Sequence, residues 1–156
     1  MTTRDQNPDS GLGAELLSVI TRLNRWASRN ADLALPVAQA RLLGQIDALG
    51  AGRIGDLARA DHCSQPTMTT QVRRLEEGGM VERTPDPADR RAVRVSLTSG
   101  GERVLGEIRA ARVAALAPLV DRLPEEERER LRGALETLTD LLEAASAEPP
   151  TGKSDR

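Results

Sequence analysis

The sequence predicts a mainly α-helical chain with one small β-hairpin. Apolar residues recur at helical spacing over most of residues 11–145, whereas between Met80 and Leu97 the spacing drops to two. Serine, proline and glycine stand at the points where each helical run begins or stops.

Leu16, Ile20, Leu23 and Ala27 recur at i, i+4, i+7 and i+11, which gives a first helix over about 11–29. Pro36 opens a second, with Leu42, Leu43, Ile46 and Leu49 apolar and Gly50 and Gly52 closing it. A short third covers 54–60, buried through Ile54, Leu57 and Ala58. Ser64 is placed to cap a fourth by accepting from its free first-turn amides, and Pro66 is tolerated where those amides have no intrahelical partner. Met68, Val72 and Leu75 form its buried stripe, and Gly78–Gly79 ends it. Met80–Thr84 and Val93–Leu97 read as two strands, with the Pro- and Asp-rich segment 85–90 as the turn between them. Helix resumes at Thr98–Gly101 and runs to about Arg122, with a bend expected at Pro118. Pro124 and Glu125–Glu127 start the last helix, with Leu131, Leu135, Leu138 and Leu142 as its stripe and Leu141 alongside.

Composition narrows the function classes. A chain of 156 residues suits one ordinary domain, or a small module with extra helices that need a partner. No apolar run approaches the roughly 20 residues that span a bilayer, and the polar start has no signal-peptide character, so no membrane association is expected and the cytoplasm is the expected location. The single cysteine, Cys63, fits a reducing compartment. One His and one Cys, with no glycine-rich phosphate loop, point away from an enzyme; no cofactor is expected and no metal site can be completed. The net charge of −2 looks unfavourable for nucleic acid, but the acids are concentrated late: residues 121–148 hold nine acids against four arginines. With Trp26 the sole aromatic residue, the chain cannot build base-stacking platforms, so any nucleic-acid target should be duplex.

The order helix, helix, short helix, capped helix, hairpin is that of a winged helix-turn-helix. A helix that enters the major groove must expose polar side chains opposite the stripe that anchors it. In the fourth helix Pro66, Thr67, Thr70, Arg73 and Arg74 point away from the stripe, with Ser64 and Gln65 at its start. Arg73 suits a bidentate pair to guanine and Thr70 a thymine methyl, and Arg74 is placed for phosphate or base. The hairpin tip carries Asp89, Arg90 and Arg91, with Arg94 on the strand behind it. Arginines on such a projection have no core to serve, and a narrow minor groove attracts them; Asp89 would hold one extended. Solvated residues on an ordinary amphipathic helix are the alternative reading of the helix alone, and the arginine-bearing hairpin weighs against it.

Residues 73–104 resemble the most specific signature of the MarR family of bacterial regulators. Leu75 and Gly79 match the end of the recognition helix, Val81 and Arg83 a V-x-R strand, Asp89, Arg90 and Arg91 the wing tip, and Leu97, Thr98 and Gly101 the closing L-T-x-x-G. The resemblance implies a homodimer with interlaced terminal helices, and Asp89 and Arg91 as the wing pair. The Leu-rich faces of the first, fifth and sixth helices also ask for a partner, since a reader of about 65 residues cannot cover them. The expected organisation is a disordered N-terminus at 1–10, a dimerisation helix over 11–35, the winged helix-turn-helix over 36–99, two dimerisation helices over 100–145, and a disordered tail at 146–156. The expected activity is transcriptional repression on a near-palindromic operator of double-stranded DNA. A winged-helix dimer that docks proteins is the alternative.

Family members commonly release DNA when a small aromatic or anionic ligand binds, or when a cysteine oxidises. Arg22, Arg25 and Trp26, with Arg29 on the same face, could receive a carboxylate against an indole wall. A solvated or DNA-flanking face is the other reading. Cys63 reads as structural: the peroxide-sensing branch has its cysteine in the first helix, where this chain has none.

Overall fold

A computed structural model of the protein describes residues 9–147, with only the backbone described for Asp9, Ser10, Arg90 and Arg91. The order is α1 (Asp9–Asn30), α2 (Val37–Leu49), β1 (Gly52–Arg53), α3 (Ile54–Ala60), α4 (Gln65–Glu77), β2 (Val81–Asp86), β3 (Asp89–Leu97), α5 (Ser99–Asp121) and α6 (Glu125–Ala147). The six expected helices are present, and so is the hairpin. The described residues divide into two compact units, one reaching Leu116 and the other beginning at Ala117, so the division falls within α5.

Three expectations need correction. The hairpin belongs to a three-stranded antiparallel sheet in the order β1-β3-β2, with Gly52 opposite Val95 and Arg53 opposite Arg94. A two-residue strand is too short to show a period in sequence. The strands are also longer than their alternation indicates, because Pro85 and Asp86 fall within β2 and Asp89 and Arg90 within β3, leaving only Pro87–Ala88 as the turn. The cause is local: Asp86 accepts the Ala88 amide at 2.8 Å, closing the turn within two residues. Finally, the helices run further than expected, taking in Asp9 and Ser10 at one end and Ser146 and Ala147 at the other. Asp and Ser suit a helix's first turn, and alanines at 144, 145 and 147 are strong helix formers. The rest of the termini expected to be loose, 1–8 and 148–156, lies outside the described residues.

The core of the first unit gathers Leu42, Leu43 and Ile46 from α2, Leu57 from α3, Met68, Val72 and Leu75 from α4, Val81 and Val95 from the sheet, and Leu105 and Ile108 from α5. The predicted stripe of α4 is therefore its anchor. Burying such side chains stabilises by roughly 1.5–3 kcal/mol each.

Two turns fix the ends of the helix-turn-helix. After α3 the chain turns at His62, φ 52°, with Cys63 N–H donating to Ala58 O at 3.0 Å and His62 N–H to Arg59 O at 3.2 Å. After α4 the same pattern recurs at Gly79, φ 70°, with Met80 N–H donating to Leu75 O and Gly79 N–H to Glu76 O, both at 2.9 Å. Arg41 of α2 grips Asp61 in the first turn with Nε at 2.7 Å and Nη2 at 2.9 Å.

The L-T-x-x-G signature joins the second turn to α5. Thr98 Oγ1 donates to Gly79 O at 2.6 Å and accepts the Gly101 amide at 3.0 Å, which caps α5. Gly101 lies so close to Met80 that a Cβ there would sit 1.9 Å from the Met80 carbonyl oxygen. Backbone cannot yield as a flexible side chain can. Gly101→Ala is expected to cost about 2–3 kcal/mol in urea unfolding. On the same helix Gly106→Ala, whose Cβ would meet nothing within 4 Å, should stabilise by about 0.5–1 kcal/mol. Equal effects at the two sites would contradict this account of the junction.

Candidate nucleic-acid interface

The outward face of α4 is polar because its inward face is spent on the core. Gln65, Pro66, Thr67, Thr70, Arg73 and Arg74 are all exposed, while Met68, Val72 and Leu75 are at most 1% exposed. Several of these side chains are also engaged locally. Ser64 Oγ accepts the Thr67 amide at 3.3 Å and shares a hydrogen bond with Thr67 Oγ1 at 2.8 Å, so both hydroxyls serve the cap. Thr70 Oγ1 donates to Pro66 O at 3.0 Å, which commits its proton within the helix. Arg73 lies 3.6 Å from Glu77 in an exposed pair that contributes little and is easily exchanged for another anion.

The hairpin brings Asp89, Arg90 and Arg91 to one end of the sheet. Pro85 faces Val93 and Asp86 faces Asp89, so the ladder steps past Arg90–Ala92, a bulge of the kind that re-aims side chains. Asp89 is exposed and engaged by other groups. The side chains of Arg90 and Arg91 lie outside the described residues.

Arg94, grouped by sequence with the wing arginines, is placed differently. The residue is half-buried, and its guanidinium donates to the Ala51 carbonyl at 2.7 Å. Arg53, which composition gave no reason to single out, donates from Nε to Asp86 Oδ2 at 2.7 Å. Asp86 is 3% exposed, and its carboxyl is held below the usual range by the Ala88 amide and then by Arg53. Arg83 pairs with Glu76 of α4 at 3.0 Å. The one signal in the sequence for the Asp86 contact was an aspartate two residues before a turn amide; partners 33 and 43 residues away left none.

For a regulating ligand, sequence nominated Arg22, Arg25 and Trp26. They line, with Val19, Leu23 and Arg29, an open groove of about 560 Å³ whose walls all come from α1. Arg25 and Arg29 also line a second cavity of about 520 Å³, walled by α1, α2 and Arg112 of α5. Among its lining residues Gln45 Oε1 and Arg112 Nε are buried without a hydrogen-bond partner among the described residues. No acid lines this cavity. Cys63 is half-buried against the core. Among the described residues no helix is long and apolar enough to cross a membrane, and no group of three His, Cys, Asp or Glu could hold a metal.

A capped helix with one buried and one polar face, followed by a short arginine-tipped hairpin, defines a winged helix-turn-helix protein. The family model described as "MarR family" matches residues 35–93. The Uncharacterized HTH-type transcriptional regulator Mb0904 of Mycobacterium bovis is 31% identical over 136 residues, 86% of this chain and 95% of that one. Among solved structures, the transcriptional regulator Tm0710 of Thermotoga maritima is 26% identical with a TM-score of 0.69, over 90% of this chain and 99% of its own. Wild-type MarR from E. coli, in its apo form, is 25% identical with a TM-score of 0.64, over 81% and 96%. The chain belongs to the MarR family. It is a DNA-binding transcriptional regulator, not an enzyme.

Proposed function

We propose that this regulator is a repressor that occupies a near-palindromic operator as a homodimer. The carrying observation is the geometry of α4, whose exposed Thr70, Arg73 and Arg74 stand opposite a wholly buried stripe. In this reading Thr70 and Arg73 meet base edges, Arg74 meets phosphate or base, and Arg90 and Arg91, with Asp89, serve the minor groove. Repression needs only occupancy of the site. A MarR variant from E. coli was solved complexed with operator DNA, at 24% identity and a TM-score of 0.55. The relative MdtR of Bacillus subtilis, 30% identical over 90 residues, is named a transcriptional repressor.

Dimerisation is supported by apolar faces left uncovered. Leu12, Leu17, Val19, Ile20 and Leu23 on α1, Val113 and Leu119 on α5, and Leu131, Leu135, Leu141 and Leu142 on α6 are each at least 40% exposed. Each such side chain forgoes a part of the roughly 1.5–3 kcal/mol that full burial against a partner would supply. Uncovered apolar residues on three helices support an interface there. The polar face of α4 disfavours the protein-docking alternative.

An anionic aromatic effector that releases DNA is the second part of the proposal. Arg25, Arg29 and Arg112 offer charge, Ile20, Val37 and Ala40 offer apolar walls, and Arg112 Nε carries an unsatisfied donor that a carboxylate would accept from. Of the three residues nominated from sequence, Arg25 alone lines this cavity.

Arg91→Ala should weaken binding to duplex from upstream of the protein's own coding region and flatten the log-affinity against log-salt slope by about 1. Arg73→Ala should cost about 1–3 kcal/mol and relax preference at one base position. Wild-type affinity in both variants would contradict the assignment. Across a panel of aromatic carboxylates, at least one should raise Tm and release the duplex, with the effect lost in Arg112→Ala. A flat response across the panel would remove the effector from the account.

A further inference from the structure

The turn end of the hairpin holds an arrangement that neither base reading nor dimerisation explains. Asp86 has an almost fully buried side chain, 4% exposed, and uses both carboxylate oxygens. Oδ1 accepts the Ala88 amide of the turn at 2.8 Å, and Oδ2 accepts Arg53 Nε at 2.7 Å. Arg53 does not belong to the hairpin. It lies on β1 and occupies the N-cap position of α3, with extended backbone at φ −73° and ψ 148°. The other hairpin strand has its own tie, from Arg94 Nη2 to the Ala51 carbonyl at 2.7 Å. Each of the two long strands is thus fastened by a side chain to the short segment that leads into the helix-turn-helix.

We propose that Arg53 is a positioning residue that sets the wing relative to the recognition helix by gripping the buried Asp86 carboxylate. The proposal rests on reading the hairpin as a DNA-contacting wing. β1 pairs with β3 only at Val95 and Arg94, so towards the turn the hairpin is two-stranded and poorly held by its own ladder, which is also broken by the step at Pro85–Asp86. The Arg53 contact supplies what the ladder lacks. It references the turn to the first residues of α3, and α3 packs against α4 in the common core through Leu57 and Ala58. Without the guanidinium, Asp86 is a buried charge lacking its cation, and it is driven toward water. That movement withdraws Oδ1 from the Ala88 amide and loosens the turn that displays Asp89, Arg90 and Arg91. Because the Arg53 side chain is itself 46% exposed, direct contact with a DNA phosphate is the rival role, and the experiment separates the two.

The test uses the full chain in four forms: wild type, Arg53→Ala, Asp86→Asn and the double variant. Asp86→Asn keeps an oxygen for the Ala88 amide and removes only the charge that Arg53 grips. Affinity is measured on duplex from upstream of the coding region, and amide exchange at residues 84–94 is measured without DNA. Each single variant should weaken binding about tenfold, and the double variant no more than either, since both break one interaction. Exchange of the wing amides should accelerate about tenfold in each single variant, and Arg53→Lys should recover most of both losses. Additive losses near a hundredfold, or unchanged wing exchange in both single variants, would overturn the proposal. If the wild type itself fails to bind the duplex, the DNA reading of the wing falls, while the exchange data still decide whether Arg53 holds the hairpin.

Discussion

Met68, Val72 and Leu75 sit one helical turn apart and are almost wholly inaccessible, and the reading surface depends on that placement. A helix so anchored cannot roll without exposing the stripe, so Thr70, Arg73 and Arg74 are held outward by burial on the other side. The same constraint reaches both ends of the helix. Ser64 stops it with a capping hydroxyl, and Gly79 ends it in the left-handed region that a β-carbon would penalise. From Gly79 and Met80 the order passes directly into α5 through Thr98 and the absent side chain of Gly101. The L-T-x-x-G segment of the family signature is therefore a joint between helices.

The legibility of the fold followed the range of the interactions involved. Helices with several turns of periodic apolar residues, and caps built from Ser64 or Gly79, were plain in the sequence, because each is decided within a few residues. Strand β1 was not, since two residues carry no period. The candidate site was legible in the same graded way. The outward residues of α4 follow from helix geometry, and the wing from its arginines and its resemblance to a family. The role of Arg94 did not follow: its alternation with Val93 and Val95 placed it on a strand, but its partner, the Ala51 carbonyl, lies 43 residues away. Arg53 and Asp86 were hidden for the same reason.

The net negative charge also takes on a different meaning in three dimensions. The acids of α6 accompany arginines in pairs one turn apart, such as Arg130 with Glu126 and Arg128 with Glu125, on a helix with no buried residue. Such pairs keep that helix soluble and add little stability. Leu131, Leu135, Leu141 and Leu142 remain uncovered there, as do apolar residues of α1 from Leu12 to Leu23 and, on α5, Val113 and Leu119. In the proposed reading, DNA contact thus falls to α4 and the hairpin, and the uncovered apolar surface to the helices at the two ends of the chain.

The central claim is that helix and wing read duplex DNA together, twice per dimer. Paired dimethyl sulfate and hydroxyl-radical footprints of the wild-type protein on its operator test it most directly. The account predicts guanine N7 protection in two successive major grooves, centred about one turn or roughly 34 Å apart, with sugars protected in the minor groove outside each. Sugar protection with no protected guanines, or a single unpaired patch, would contradict it.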